Sequence, residues 1–223
     1  MNKGSTTVQK ISKFLRDEIT YSILKPGQHI KEADISKKFN VSRVPVRESF
    51  RLLQSEGYLE VRLNKGCFVS RLSDQYFIET SIVYRLIAPV LLEKAIPRYN
   101  EQTYAKADKI LNNLEKSRDS QKSGYLQWDF AKIIYSPSNM KYLLELFDDI
   151  YRHSIRLLNE FFENAEHEGY KVTAHRHFMK LCSQNRKEEA INYWNDFLDK
   201  IISQIMLVKK IKAEPIKYNF HKK

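Results

Sequence analysis

Apolar residues at Ile11, Leu15, Ile19 and Ile23 recur every fourth position and predict a one-faced helix over residues 8–24. Lys25-Pro26-Gly27 stops it, and Ile30 reads as a short extended link. A second helix over 31–39 offers Ala33, Ile35 and Phe39 to a core, and Asn40-Val41 makes a turn. A third helix over 43–56 turns Val46, Phe50 and Leu53 inward and ends at Gly57. The period then changes. Residues 58–63 and 67–71 read as two strands about Asn64-Lys65-Gly66, a hairpin in which glycine supplies a positive φ.

From Ser73 onward helical periods dominate. The pattern predicts helices over 73–97, 101–119, 122–135, 139–164, 167–184 and 186–211. Ser73 and Asn139 stand where N-caps belong, and Ser136-Pro137-Ser138 is a break. Ile191, Trp194, Leu198, Ile201, Ile205 and Val208 trace one stripe of the last helix, and Leu143, Phe147 and Ile150 begin another. Pro89 falls inside a predicted helix, where a kink is expected. The fold class is therefore mainly α. Three helices and a hairpin occupy residues 1–71, an all-α six-helix bundle residues 72–212, and a flexible basic tail residues 213–223.

Composition narrows the partners. A net charge of +11 over 223 residues favours a polyanion, either nucleic acid or an anionic membrane. Spread over folded elements, that charge argues against membrane adhesion, and no apolar run approaches the roughly 18 residues that span a bilayer. The polar N-terminus lacks the apolar middle of a signal peptide, so a cytoplasmic location is expected. Cys67 and Cys182 fall in different predicted domains and are expected as free thiols. Glycine-rich phosphate loops, the G-x-S-x-G elbow and H-E-x-x-H are absent, which argues against an enzyme. The enzyme alternative would need a carboxylate pair in the helical cavity.

The octet Val41–Glu48 carries the sharpest chemistry. Arg43 and Arg47 lie four residues apart, about one helical turn, so both guanidinium groups leave one face. Ser42 directly before them is a good N-cap. A short capped helix with paired arginines at its start, preceded by a helix and a tight turn, can enter a DNA major groove, where arginine donates twice to guanine. Lys65 at the hairpin tip is placed to meet a phosphate or the minor groove.

With Pro26-Gly27, Glu32, Phe39, Phe50, Leu53, Glu56-Gly57-Tyr58 and Gly66, that octet resembles the winged helix-turn-helix of the GntR family of bacterial transcription regulators over residues 10 to 70. The resemblance implies a DNA-contacting set of Ser42, Arg43, Val44, Pro45 and Arg47, with Lys65 and Gly66 on the wing. It implies a further basic contact on the second helix, where Ala33 stands; Lys37 or Lys38 could substitute. The helices after Ser73 are similar to the ligand-sensing FCD domain of the FadR subfamily. Arg85, Ser136–Asn139 and His175 followed by Ala190 match that domain locally.

Many domains of that type hold a metal through an aspartate, a histidine four residues on, and one histidine in each of the last two helices. Aligned on Phe130, those positions are Gln127, Ala131, His175 and Phe197. Asp129 cannot replace Gln127, because two residues along a helix turn the side chain by about 200°. No metal and no cofactor is expected. His153, His167 and His177 are the remaining histidines in reach. Arg85, Trp128, His175 and Phe197, with Tyr84 and Trp194, are candidates to line a pocket for an organic effector, Arg85 holding a carboxylate or phosphate. The alternative is that these aromatics are core.

The expected function is a homodimeric, metabolite-responsive repressor that binds a short inverted repeat of double-stranded operator DNA. The alternative is a constitutive DNA-binding regulator that has lost effector sensing.

Overall fold

The computed structural model describes residues 6–71, 73–117, 119–164, 172–208 and 210. The chain separates into two compact units, residues 1–72 and 73–223. The tail over 213–223, and with it His167, lies outside the described residues.

The first unit runs α1 (Thr7–Thr20), β1 (His29–Ile30), α2 (Glu32–Phe39), α3 (Arg43–Ser55), β2 (Leu59–Arg62) and β3 (Gly66–Val69). A capping box opens α1: Thr6 Oγ1 accepts from the Gln9 backbone, and Gln9 Oε1 accepts from the Thr6 backbone. Ile11, Leu15 and Ile19 on α1, Ile35 on α2, and Val46, Phe50 and Leu53 on α3 form one core with Tyr58, Leu59, Cys67 and Val69. Burying each Ile or Leu contributes about 1.5–3 kcal/mol. Arg16 and Glu56 clamp α1 to the end of α3 with contacts of 2.7–3.0 Å.

Three expectations for this unit change. The first helix ends at Thr20, not at residue 24. Ser22 takes a left-handed φ of 54°, and the Ile23 and Ser22 N–H groups return to the carbonyls of Glu18 and Ile19. This is a Schellman cap, and it swings Ile23 out to 54% exposure. Ala33 is exposed, not core. Ile30 is more than a link: His29–Ile30 pairs antiparallel with β3, so the hairpin is part of a three-stranded sheet in the order β1-β3-β2. A two-residue strand carries too little alternation to be seen in sequence.

The wing turn is Leu63-Asn64-Lys65, between the paired residues Arg62 and Gly66. Gly66 has φ +97°, and a Cβ there would lie 2.6 Å from His29 Nε2. The strand missed in the sequence is thus a second reason for glycine at this position.

The second unit holds, among the described residues, six α-helices: α4 (Asp74–Ala95), α5 (Glu101–Lys116), α6 (Ser120–Tyr135), α7 (Lys141–Asn164), α8 (Thr173–Ser183) and α9 (Lys187–Val208). Short 3-10 turns at Ile96–Arg98 and Ser136–Ser138 follow α4 and α6. Ser73 caps α4 by accepting from the Tyr76 backbone, and α4 runs through Pro89 as one element. Asn139 is not an N-cap. It sits in the left-handed region at φ 57°, closing the preceding 3-10 turn, and the first helical bond of α7 runs from Leu144 back to Met140. Asparagine tolerates that conformation because its short polar side chain bonds locally.

α5 packs on α6, α6 on α7, α4 on α7 and α9, and α8 on α9. Leu91, Leu92, Leu111, Phe130, Ile134, Phe147, Phe178 and Trp194 fill the centre. Among the described residues no helix is long and apolar enough to cross a membrane. Cys67 and Cys182 are free, buried thiols, one in each unit. Burial pushes Cys67 up to about 11 and Cys182 up to about 12.

Candidate nucleic-acid interface and helical cavity

α2, the turn at Asn40 and α3 form a helix-turn-helix. Asn40 takes φ 52°, ending α2, and its backbone N–H bonds to Lys37 O. Ser42 then occupies the N-cap of α3 in extended conformation, but its hydroxyl makes no cap bond. The expected cap is present in backbone only. The exposed hydroxyl and the N–H groups of the first turn of α3 are left for an outside acceptor.

Ser42, Arg43, Val44 and Arg47 are all exposed, and Val44 is 63% exposed. Pro45 stands third in the helix, where its missing N–H costs no bond. Val46 and Phe50 behind them are buried and fix the pitch of the exposed face. Lys65 and Gly66 are exposed on the wing.

The two arginines differ. Arg43 makes no hydrogen bond or ion pair among the described residues. Arg47 is held by Glu32 of α2, its Nε lying 3.0 and 2.9 Å from the two carboxylate oxygens. Both partners remain partly exposed, so the bridge itself contributes at most about 1 kcal/mol. Its role is to pre-set one guanidinium and to place a negative charge beside it. Glu32 is visible in the sequence, but a partner fifteen positions away follows no helical period. On α2, Lys38 lies 4.0 Å over the Phe14 ring, and Lys37 is exposed.

The second unit holds a half-open cavity of about 90 Å3. α4 supplies Phe77, Thr80, Ser81 and Tyr84, α6 supplies Gln127, Phe130 and Ala131, α8 supplies His175, and α9 supplies Trp194, Phe197, Ile201 and Ile205. Trp194, Leu198, Ile201 and Ile205 of the stripe predicted on the last helix face this space. His175 is packed between Phe130, Trp194 and Phe197, with ring centres 4.9–5.2 Å away. Burial drives its imidazole down to about 3, so it is neutral at physiological pH. Trp194 Nε1 donates to Tyr135 Oη at 2.8 Å, and the Tyr84 hydroxyl lies 3.4 Å from that oxygen.

Of the four expected pocket residues, His175 and Phe197 line the cavity. Arg85 and Trp128 do not. Arg85 pairs with Asp199, Nε to Oδ1 at 2.6 Å, tying α4 to α9. Its charge is neutralised there and unavailable to hold an acid inside. Trp128 turns its indole N–H to Asp148 at 2.9 Å and its face to Lys132 at 4.0 Å. Helical period alone could not separate Trp128 from Gln127, one position earlier and facing the cavity.

Gln127, Ala131, His175 and Phe197, the positions at which related domains would hold a metal, all line this one space. The side chains converge but the donors do not fit: one neutral imidazole and one amide cannot replace the three or more protein ligands of a zinc site. His153 and His177 are not in the wall. His177 packs at a tilt against Tyr193, ring centres 4.5 Å apart, and His153 meets Tyr76 at 5.6 Å. No cluster of three or more His, Cys, Asp or Glu suited to a metal occurs among the described residues.

Three helices with a three-stranded sheet, the third helix exposing its first turn beside a hairpin, define a winged helix-turn-helix protein. Residues 7–69, from the first residue of α1 to the last of β3, match the family described as bacterial regulatory proteins, gntR family. The N-terminal unit thus has a winged helix-turn-helix fold and matches that family along its length.

The chain is 30% identical over 101 residues to the HTH-type transcriptional repressor RspR of Escherichia coli K12, covering 45% of this chain and 44% of that protein. It is 27% identical over 191 residues to the uncharacterized HTH-type transcriptional regulator YdhC of Bacillus subtilis, covering 79% and 80%. It thus spans less than half of RspR. A putative GntR regulator from Rhodococcus sp. RHA1 superposes with TM-score 0.79 at 20% identity, covering 89% of this chain and 97% of that one. E. coli McbR/YncC gives 0.77 at 16%, covering 92% and 99%. At those identities the likeness is one of fold. RspR, YdhC and the Rhodococcus protein are named as transcription regulators, not as enzymes.

Proposed function

We propose that this chain is a sequence-specific DNA-binding transcription regulator. In this reading α3 enters the major groove of a short inverted repeat, and Arg43 and Arg47 read bases. Ser42 and Lys65 hold the backbone, and Val44 offers an apolar contact to a thymine methyl. The observation that carries it is the exposed turn Ser42–Arg47, presented by buried Val46 and Phe50 inside a unit that matches the gntR family along its length. One winged helix per chain makes few base contacts, so a homodimer on two half-sites is part of the proposal. The helical unit is read as an FCD-type effector and dimerisation domain of the FadR subfamily, and the location as cytoplasmic. Repression is the favoured direction, since RspR is named a repressor.

An operator selected from random duplexes provides the test. Arg43→Ala and Arg47→Ala should each cost about 1–3 kcal/mol on that site and relax base preference. Lys65→Ala should weaken all sequences evenly and flatten the salt dependence. Unchanged specific affinity in the double arginine variant would sink the assignment. A constitutive regulator is the second reading, favoured by the mismatch of Gln127, Ala131 and Phe197 to a metal site. An operator affinity indifferent to every ligand that occupies the cavity would support it.

A further inference from the structure

We infer that the helical cavity is a binding site for a small uncharged molecule with an apolar body and one hydrogen-bond acceptor, held by the side-chain amide of Gln127. This deepens the effector part of the reading above. Its test reads the cavity and not DNA, so either can fail alone.

Gln127 is 5% exposed, lines the cavity, and its Nε2 has no hydrogen-bond partner. A buried unsatisfied amide is costly, and a native protein keeps one where an outside group completes it. Two hydroxyls of the wall are already spent. Thr80 Oγ1 donates to Tyr76 O at 2.7 Å, and Ser154 Oγ donates to Ile150 O at 2.9 Å. The remaining surface is largely aromatic and aliphatic, from Phe77, Phe130, Trp194, Phe197, Ile201 and Ile205.

Charge argues against an anionic ligand. No Lys, Arg, Asp or Glu occurs among the described lining residues, and His175, the titratable imidazole in the wall, is kept neutral by burial. A carboxylate would enter without a counter-ion, at high desolvation cost. Arg85, the cation best placed by sequence to meet one, is committed to Asp199. A metal would find a single imidazole.

Size narrows the class further. About 90 Å3 is less than the roughly 150 Å3 that admits benzene in an engineered cavity. The ligand class is therefore a short-chain carbonyl compound, ether or alcohol, its oxygen on Gln127 and its carbons on the aromatic wall.

The two tryptophans make the test internal. Trp194 lines the cavity, whereas Trp128 does not and has its indole N–H on Asp148. In the full chain with 15N-labelled indoles, butanone should shift the Trp194 resonance saturably and leave that of Trp128 in place. Butyrate at the same concentration and neutral pH should move neither. Gln127→Met, which keeps length and volume without the amide, should weaken butanone about five- to tenfold. The wild-type contrast between ketone and acid decides the matter even if that variant does not fold. Butyrate binding as tightly as butanone, no saturable response to butanone, undiminished binding in a folded Gln127→Met chain, or stoichiometric zinc at His175 would each overturn the inference.

Discussion

The two units keep their polar chemistry in opposite places. In the N-terminal unit the candidate groups point outward: Arg43, Arg47, Ser42 and Lys65 stand on exposed backbone, and the core behind them is apolar. In the helical unit the groups of interest point inward, and Gln127 and His175 are each about 95% buried or more among aromatic rings. An outward site is specified by a few side chains on a shared scaffold, so its pattern is short. An inward site is specified by everything that packs around it, so one substitution in the wall changes what fits. The metal-type positions illustrate this. Gln127, Ala131, His175 and Phe197 line one space, whose largely apolar wall holds one amide and one imidazole.

That contrast can be broken at several points. The largest expected effect is in the wall. Phe130→Ala removes a ring that is 1% exposed and packs on both His175 and Trp194, and should destabilise the helical unit by about 3–5 kcal/mol in denaturant titration. A loss below 1 kcal/mol would mean the wall is already loose.

An intermediate effect should come from pH. The folded His175 pKa is depressed to about 3, against 6.5 when unfolded, so below 6.5 the unfolded chain binds a proton that the folded chain refuses. Stability is unaffected above that value and falls as pH drops from 6.5 toward 3. Between pH 7 and 5 this histidine should cost about 2 kcal/mol, a slope that His175→Phe should abolish. An unchanged pH profile in that variant would show that the imidazole is solvated.

The smallest effect concerns the outward site. Glu32→Gln frees Arg47 from an exposed bridge, so stability should move by less than about 1 kcal/mol. Duplex affinity should rise a few-fold and its salt dependence steepen, because a carboxylate facing the phosphates is gone. Weaker specific binding by this variant would instead make Glu32 a positioning residue for Arg47.

Much of the fold was legible because it rests on local periods. Apolar periods, caps and breaks located the three N-terminal helices and the six later ones, and the arginine pair needed only a helical turn to be seen. What escaped rests on distant or very short signals. β1 is two residues long and defined by its partner Cys67-Phe68. The end of α1 depends on Ser22 accepting a left-handed φ, which its residue type does not advertise. Arg85 was correctly placed on the first helix of the bundle, but its partner Asp199 is over a hundred residues away, and that pairing removes it from the cavity. Gln127 was counted as a poor donor to a metal; its isolation inside an apolar wall is what gives it meaning.

The placement of the two thiols has a kinetic consequence. Cys67 lies on β3 of the wing sheet and Cys182 on α8, each buried and with its thiolate suppressed by burial. A thiol-reactive label added under native conditions therefore modifies each only after its own surroundings open. The chain thus carries a built-in clock in each unit, and site-resolved labelling rates compare how often the wing sheet and the helical bundle breathe.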